Sequence, residues 1–228
     1  MHEDFFRGSD ERINVKGGQE METEKVVKKG NKMSTKMLTQ IGVLAAAAAV
    51  LMLMKMPLPF APEFYKLDIS EVPVLIGGFA MGPLAAAIIM LIKILLNLIL
   101  NGTMTAGIGE LANFLIGCAF CVPASIIYKK MKNKKGAMLG MVIGTTTMTV
   151  VGGFLNAFVL LPTYAKVFGM SLEALVGIGN AINASITNLS TFIFLAVVPF
   201  NLIKGALVSI IVMLIYKRIS PILTMNRH

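Results

Sequence analysis

The chain has 228 residues, of which 56% are hydrophobic and 14% charged, and its formal net charge is +9. A soluble globular domain carries about 25% charged residues, so this composition, with several apolar runs of about 18 residues or more, predicts a multi-pass membrane protein. Most of the lysines and arginines flank the apolar runs, which is a topology signal, so the net charge does not indicate nucleic-acid binding.

The first 36 residues are polar and mixed in charge. We expect residues 1–36 to form a flexible basic cytoplasmic extension that does not fold alone. No cleavable signal is predicted, because the first apolar run begins near Met37, and Met21 and Met33 leave a later start open. A group of lysines precedes that run and predicts a cytoplasmic N-terminus. These are Lys25, Lys28, Lys29, Lys32 and Lys36.

The first predicted transmembrane helix runs from about Met37 to Met56. Ala45 and Ala49 lie one turn apart in an unbroken row of alanines, and this small-residue spacing lets another helix approach closely. Alanine is also a good helix former in its own right. Spacing alone therefore does not decide between a docking face and a tolerated row of alanines.

The stretch from Phe60 to Pro83 differs from the apolar segments on either side of it. Its polar half is predicted to form a lid over a ligand site, and it carries Glu63, Phe64, Tyr65, Lys66, Asp68 and Glu71. Its apolar half, Val72 to Met81, is about 15 Å long as a helix, roughly half of a hydrocarbon core. It is followed by a full-length apolar segment, Leu84 to Leu100.

These two segments are either one interrupted pass or two helices joined by a tight turn. The next predicted helix, Ile108 to Tyr128, ends in a lysine cluster that is expected in the cytoplasm. With a cytoplasmic N-terminus, four crossings must precede that cluster. The short segment is therefore predicted to be the second transmembrane helix, and Leu84 to Leu100 the third.

A fifth predicted helix, Met138 to Leu161, is followed by an external segment from Pro162 to about Asn188 and a sixth helix, Leu189 to Tyr216. The predicted fold class is an all-α membrane protein with six transmembrane helices, both termini in the cytoplasm and a ligand pocket near the extracellular face. Residues 37–221 would form the membrane domain and residues 222–228 a cytoplasmic tail.

Strongly polar side chains within the predicted spans are few, and because they are costly in hydrocarbon they point to function. A depth estimate puts Asn97, Glu110 and Asn156 in the outer half of the membrane, where the long side chain of Lys204 can reach them. Lys204 could instead extend inward or form a structural ion pair with Glu110, and Lys93 is open to the same interpretations. The set suits a neutral, polar, aromatic ligand.

Redox, metal-binding and enzymatic functions are disfavoured by the sequence. Cys118 and Cys121 form a CxxC, which could suggest redox or metal chemistry, but within an apolar run they are interpreted as two small lipid- or core-facing residues. His2 and His228 stand at the termini, so no histidine metal site is expected within the membrane, and we predict no metal and no cofactor. Enzyme signatures and nucleotide-binding loops are missing, so the chain is predicted not to be an enzyme. An ATP-driven transporter would need a partner to hydrolyse ATP.

Four stretches, FYKLDISEVPVLIGGFAMGPLA, GELANFLIG, VGGFLNAFVLLP and PFNLIKG, carry a resemblance that covers about Lys36 to Pro221. The chain resembles the RibU family, the riboflavin-specific substrate-binding (S) components of energy-coupling factor (ECF) vitamin transporters. The resemblance implies a bacterial plasma-membrane protein whose transported ligand is riboflavin, with FMN left open. It implies as partners an EcfT-like transmembrane coupling subunit and two ECF ATPase subunits.

The resemblance also implies site residues. Family ligand contacts fall on Tyr65, Leu67, Asp68, Asn156, Asn201 and Lys204, whereas Asn97 and Glu110 depend mainly on the depth estimate. The family's docking motif falls on Ala45 and Ala49. The alternative is a stand-alone secondary transporter or channel for a small polar solute, but neither an inverted repeat nor a midplane ion site is evident.

Overall fold

The computed structural model describes residues 34–59, 61–62, 65–103, 105 and 107–225. Glu63 and Phe64 of the predicted lid, most of the predicted N-terminal extension and the last residues of the predicted tail lie outside the described residues. The chain divides into two compact units, Met1–Leu38 and Thr39–His228, and the architecture below is that of the second. The predicted domain limits at residues 36 and 221 stay predictions.

The described residues are almost entirely helical. The helices in chain order are α1 (Thr35–Leu53), α2 (Glu71–Met81), α3 (Pro83–Asn101), α4 (Ile108–Met131), α5 (Lys134–Leu155), α6 (Leu161–Val167), α7 (Leu172–Ile182), α8 (Leu189–Phe192) and α9 (Val198–Met225). Two π-helical segments, π1 (Asn156–Leu160) and π2 (Ile193–Val197), join α5 to α6 and α8 to α9. In the loop after α1, the short strands β1 (Met56–Pro57) and β2 (Lys66–Leu67) pair antiparallel.

Five helical stretches of the described chain have the length and apolar composition to cross a membrane. They are Thr35–Leu53, Pro83–Asn101, Ile108–Met131, Lys134–Val167 and Leu189–Tyr216. The predicted second span is present as α2, but α2 has only 11 residues and is a short apolar helix. The multi-pass helical architecture is thus confirmed, while the count of six spans stays a prediction.

Helix α2 lies inside the fold. It packs against α3, α4 and α9, and most of its side chains are buried, from Glu71 to Phe79. Gly77 and Gly78 permit this close approach, because a Cβ at either position would collide with Ile89 or Ser125. Gly82, with φ of 100°, makes the tight turn into α3 that an L side chain would strain. Its neighbours thus shield α2 from the surroundings.

The hairpin of α4 and α5 is held by glycines. Gly140 and Gly144, one turn apart on α5, lie directly against the backbone of Ala124 and Phe120 on α4. A Cβ on Gly140 would stand 2.6 Å from the carbonyl oxygen of Ala124. Without a hydrophobic driving force in lipid, transmembrane helices associate through such close backbone contact.

The segment after the fifth predicted helix differs from the prediction. The helix does not end at Leu161 but continues through π1 and α6 to Val167. Pro162, the first residue of the segment predicted to be external, lies instead in the first turn of α6, and the π segment just before it accommodates the backbone N–H that a proline lacks. The segment predicted to be an external loop also contains α7.

Gly140→Leu is expected to destabilise the protein by about 1–3 kcal/mol, because the new side chain overpacks the α4–α5 contact. The matched control is Gly177→Leu, since Gly177 on α7 is exposed and a Cβ added there would meet no atom within 4 Å. The measurement is the melting temperature of each purified variant in detergent. Equal melting temperatures for the two variants would contradict the assigned contact.

Candidate functional site

A cavity of about 150 Å³ lies where the loop after α1 meets α4, π1, α6 and α9. Its polar lining comprises Tyr65, Lys66, Asp68, Asn113, Asn156, Asn201 and Lys204. Its apolar and aromatic lining includes Ile116, Leu160, Tyr164 and Phe200. Aromatic faces together with a few convergent polar groups are typical of small-molecule sites.

The two π segments place asparagines at this cavity. In π1 the N–H of Leu161 donates to the carbonyl oxygen of Asn156, and in π2 the N–H of Val198 donates to that of Ile193. Each is a bond across five residues, and each π segment ends two residues before a proline. A proline cannot donate a backbone hydrogen bond, which loosens the regular helix there. Such π segments are frequent at functional sites.

Both asparagine side chains are fixed by their own helices. The Nδ2 of Asn156 donates to the carbonyl oxygen of Gly152 at 2.7 Å, and the Nδ2 of Asn201 donates to that of Val197 at 2.9 Å. Both asparagines are buried. Because their amides are oriented before any ligand arrives, they are suited to reading hydrogen-bonding groups on a flat molecule.

The loop after α1 closes one side of the cavity through Tyr65. The Tyr65 hydroxyl donates to Oδ1 of Asn156 at 2.5 Å. Its ring lies 5.3 Å from that of Phe200 and 6.3 Å from that of Phe192, centroid to centroid. The loop is thus attached to π1 by a hydrogen bond and to the α8–α9 region by ring contacts.

A second set of buried contacts, here named the ion ring, consists of Asp68, Ser70, Glu71, Lys93 and Lys204. The Nζ of Lys204 lies 3.1 Å from Oδ2 of Asp68 and 3.0 Å from Oε1 of Glu71. The same Glu71 oxygen lies 3.2 Å from Nζ of Lys93, which also donates to Oγ of Ser70 at 2.8 Å. The Ser70 hydroxyl donates to Oδ1 of Asp68, and this bond closes the ring.

The ion ring balances its own charge. All five side chains are buried, and two carboxylates face two ammonium groups. Asp68 lies in the loop between β2 and α2. Burial alone would raise the pKa of its carboxyl, but the Lys204 and Lys93 ammonium groups and the Ser70 hydroxyl outweigh burial and hold that pKa below its usual range.

Five of the predicted ligand residues meet at the cavity: Tyr65, Asp68, Asn156, Asn201 and Lys204. Three others lie outside its lining. Leu67 packs in an apolar cluster with Tyr65, Asn97 accepts a 2.7 Å hydrogen bond from Asn101, and Glu110 accepts one of 3.0 Å from Thr103. The alternative pairing of Lys204 with Glu110 is wrong, because Lys204 pairs with the carboxylates of Asp68 and Glu71.

Several cavity and ion-ring residues are not among the predicted ligand residues. Asn113 lies one turn after Glu110 and could have been chosen in its place on the same depth argument. Tyr164 was missed because the segment after Leu161 was predicted to lie outside the membrane. Lys93 and Glu71 were noted in the sequence, Lys93 as a residue that could form an ion pair and Glu71 as part of the lid, but their pairing with each other was not predicted.

The predicted docking residues lie inside the fold. Ala45 is 0% exposed and Ala49 2% exposed, so neither is accessible to another protein in this structure. The small residues of α1 that are exposed are Gly42, Ala46 and Ala47. The small-residue spacing therefore recurs on the exposed face as Gly42 and Ala46, three positions before the predicted pair.

Among the described residues, no group of three or more His, Cys, Asp or Glu side chains is placed to hold a metal ion. Cys118 and Cys121 are both free thiols.

Comparisons with known proteins agree with one another. Residues 36–216 match the family model for the ECF transporter substrate-specific component. The chain is 39% identical to the riboflavin transporter RibU of Staphylococcus aureus (strain TCH60), over 86% of this chain and 96% of the relative. It is 32% identical to the riboflavin transporter FmnP of Bacillus subtilis (strain 168), over 86% of this chain and 97% of the relative. A solved structure of the S component of a bacterial ECF transporter is 38% identical, with a TM-score of 0.64, over 82% of this chain and 97% of that one.

The lowered pKa of Asp68 predicts a pH effect on stability. A carboxyl with a lowered folded-state pKa stabilises the fold above its unfolded pKa of about 3.9, and that contribution is lost as the pH falls through the folded value. The melting temperature of the wild type should exceed that of Asp68→Asn by a constant amount from about pH 5 to pH 8, and the gap should narrow below about pH 4. A gap that widens on acidification would contradict the ion ring.

Proposed function

Because the chain belongs to the family of ECF transporter substrate-specific components, we propose that it is the riboflavin-binding component of an ECF-type vitamin importer. The observation that carries the proposal is the convergence of two oriented asparagine amides, a paired lysine and aromatic rings on one cavity. Riboflavin has a flat ring system whose edge carries C=O and N–H groups, and an uncharged polyol chain. Amides suit the ring edge, and the aromatic side chains suit its faces.

Ligand entry requires Tyr65 to move away from Asn156. The cavity of about 150 Å³ is smaller than the roughly 300–1,000 Å³ typical of small-molecule pockets. Tyr65, which reaches into it, already uses Oδ1 of Asn156 as an acceptor. The loop therefore acts as the lid, and binding exchanges the Tyr65 hydroxyl for a group of the ligand at Asn156.

Five residues are proposed to contact the ligand: Tyr65, Asp68, Asn156, Asn201 and Lys204. Leu67, Asn97 and Glu110 stay sequence predictions, and substitution of each by alanine tests them. The cavity is proposed to open toward the extracellular face, with both termini in the cytoplasm. The exposed lysines at the turn between α4 and α5 support this orientation, because cytoplasmic turns are rich in lysine.

Transport itself is proposed to depend on partners. The S component binds riboflavin, then docks on an EcfT-like transmembrane coupling subunit that is driven by two ECF ATPase subunits. We place the docking surface on the exposed face of α1 that includes Gly42 and Ala46, since Ala45 and Ala49 are buried. Small exposed residues at this spacing let a partner helix approach closely.

The purified chain in detergent is expected to quench riboflavin fluorescence on titration. Asn156→Ala and Asn201→Ala should each raise the Kd about tenfold, because each removes an oriented hydrogen-bonding group from the cavity. Asn183→Ala is the matched control, since Asn183 is exposed and outside the cavity lining. A wild-type chain that does not bind riboflavin at micromolar concentration contradicts the proposal. Uptake by the chain without the ECF subunits would favour a stand-alone transporter.

Ala46→Trp is expected to leave the riboflavin Kd unchanged and to abolish uptake in cells that contain the ECF module, because the indole obstructs helix docking. The control is Leu214→Trp, at a residue of α9 that is 76% exposed. It should change neither the riboflavin Kd nor uptake. Ala45→Trp should lower the melting temperature, because it overpacks a buried position. If Ala46→Trp still supports uptake while Ala45→Trp binds riboflavin and abolishes uptake, the docking face is the one that carries Ala45 and Ala49.

A further inference from the structure

Lys93 is a fully buried lysine that lies outside the cavity lining. Its side chain, on α3, is 0% exposed. Its ammonium group has two described partners, Oγ of Ser70 at 2.8 Å and Oε1 of Glu71 at 3.2 Å. Burying an ammonium group is expensive, so its position requires a stabilising arrangement of charge.

The charges of the ion ring show what Lys93 does for Lys204, which lines the cavity. Oε1 of Glu71 is shared between the two lysines, at 3.2 Å from Lys93 and 3.0 Å from Lys204. Oε2 of Glu71 is buried and has no hydrogen-bond partner among the described residues. Glu71 is therefore held by one oxygen, and both of its cations contact that oxygen.

Without Lys93, Lys204 would be the one ring cation facing two carboxylates, Asp68 and Glu71. Any movement of its ammonium group toward a ligand would then leave a buried carboxylate unpaired, which is costly. With Lys93 present, Glu71 keeps a partner while Lys204 stays against Asp68. The second ion pair thus lets Lys204 use its remaining N–H on a ligand.

We propose that Lys93 and Glu71 are positioning residues for ligand binding: Lys93 neutralises Glu71, so that Lys204 is held at the cavity wall by Asp68 and can donate to the ligand. This rests on the proposed riboflavin-binding function. Neither residue touches the cavity, and both act through Lys204. The requirement is a balance of charge, so removing Lys93 and Glu71 together should be better tolerated than removing Lys93 alone.

The experiment compares riboflavin Kd values, measured by fluorescence quenching on the full-length chain in detergent, for the wild type, Lys93→Met, and the double variant Glu71→Gln with Lys93→Met. Lys93→Met should raise the Kd about tenfold or more, the scale of coupling within buried ionic networks. The double variant should bind within about threefold of the wild type, because Asp68 and Lys204 again balance one another. A residue that only filled space would give no such recovery.

Two controls separate binding from folding. Lys166→Met is the matched lysine control, since Lys166 is exposed on α6, and the melting temperature without riboflavin is recorded for every variant. A wild-type Kd for Lys93→Met overturns the inference, as does a double variant that binds no more tightly than Lys93→Met. If Lys93→Met does not accumulate, the double variant decides: binding within about threefold of the wild type supports the inference, and binding weakened about tenfold overturns it. Failure of the wild type to bind riboflavin is the separate result that contradicts the proposed function.

Discussion

The ion ring is the constraint on which the arrangement of the site depends. It joins two residues of the loop after α1, Asp68 and Ser70, to the start of α2 and to single lysines on α3 and α9. Buried ion pairs are not strong evidence for stability, because desolvation offsets much of their attraction. Breaking such a pair from one side is costly, at about 3–5 kcal/mol. The ring therefore contributes more to the positions of Asp68 and Ser70 than to the total free energy of unfolding.

Glycines and prolines shape the helices around that constraint. Gly77 and Gly78 allow α2 to enter the interior and bring Glu71, at its first turn, to the two lysines. Pro162 and Pro199 each follow a π segment, and these segments bring Asn156 and Asn201 to the same cavity. Residues that weaken regular helices in water are tolerated in membrane proteins where neighbouring helices satisfy the freed backbone groups. Here they also determine which side chains converge.

The sequence predicted the long helices and five residues of the cavity lining, largely from local signals. Apolar runs predicted the long helices, and isolated polar residues within them pointed to Asn156, Asn201 and Lys204. The break between α2 and α3 is observed, whereas their assignment by charge parity as two separate crossings stays a prediction. The remaining contacts depend on helix rotation and on tertiary pairing, which local signals do not give. The spacing of Ala45 and Ala49 does not say which face of α1 is buried, and a depth estimate for Glu110 does not say whether its side chain lines the cavity.

The extended last turns of the fifth span could not be predicted from pattern either. A proline after a long apolar run normally predicts the end of a helix, so Tyr164 was assigned to an external loop. The π segment before Pro162 lets the helix continue to Val167, and such a segment has no sequence signature beyond the proline itself.

Tyr65 and the ion ring hold the predicted lid through separate contacts. The Tyr65 hydroxyl and a ligand group would compete for the same oxygen of Asn156, so binding replaces one hydrogen bond by another and gains little from that exchange. A lid that depended on this bond alone would be loosened by its own ligand. Asp68, only three residues away, is held instead by Lys204 and Ser70 through contacts that a ligand at Asn156 does not consume. Tyr65 can therefore release Asn156 while Asp68 stays in place, because the two residues are held by independent sets of contacts.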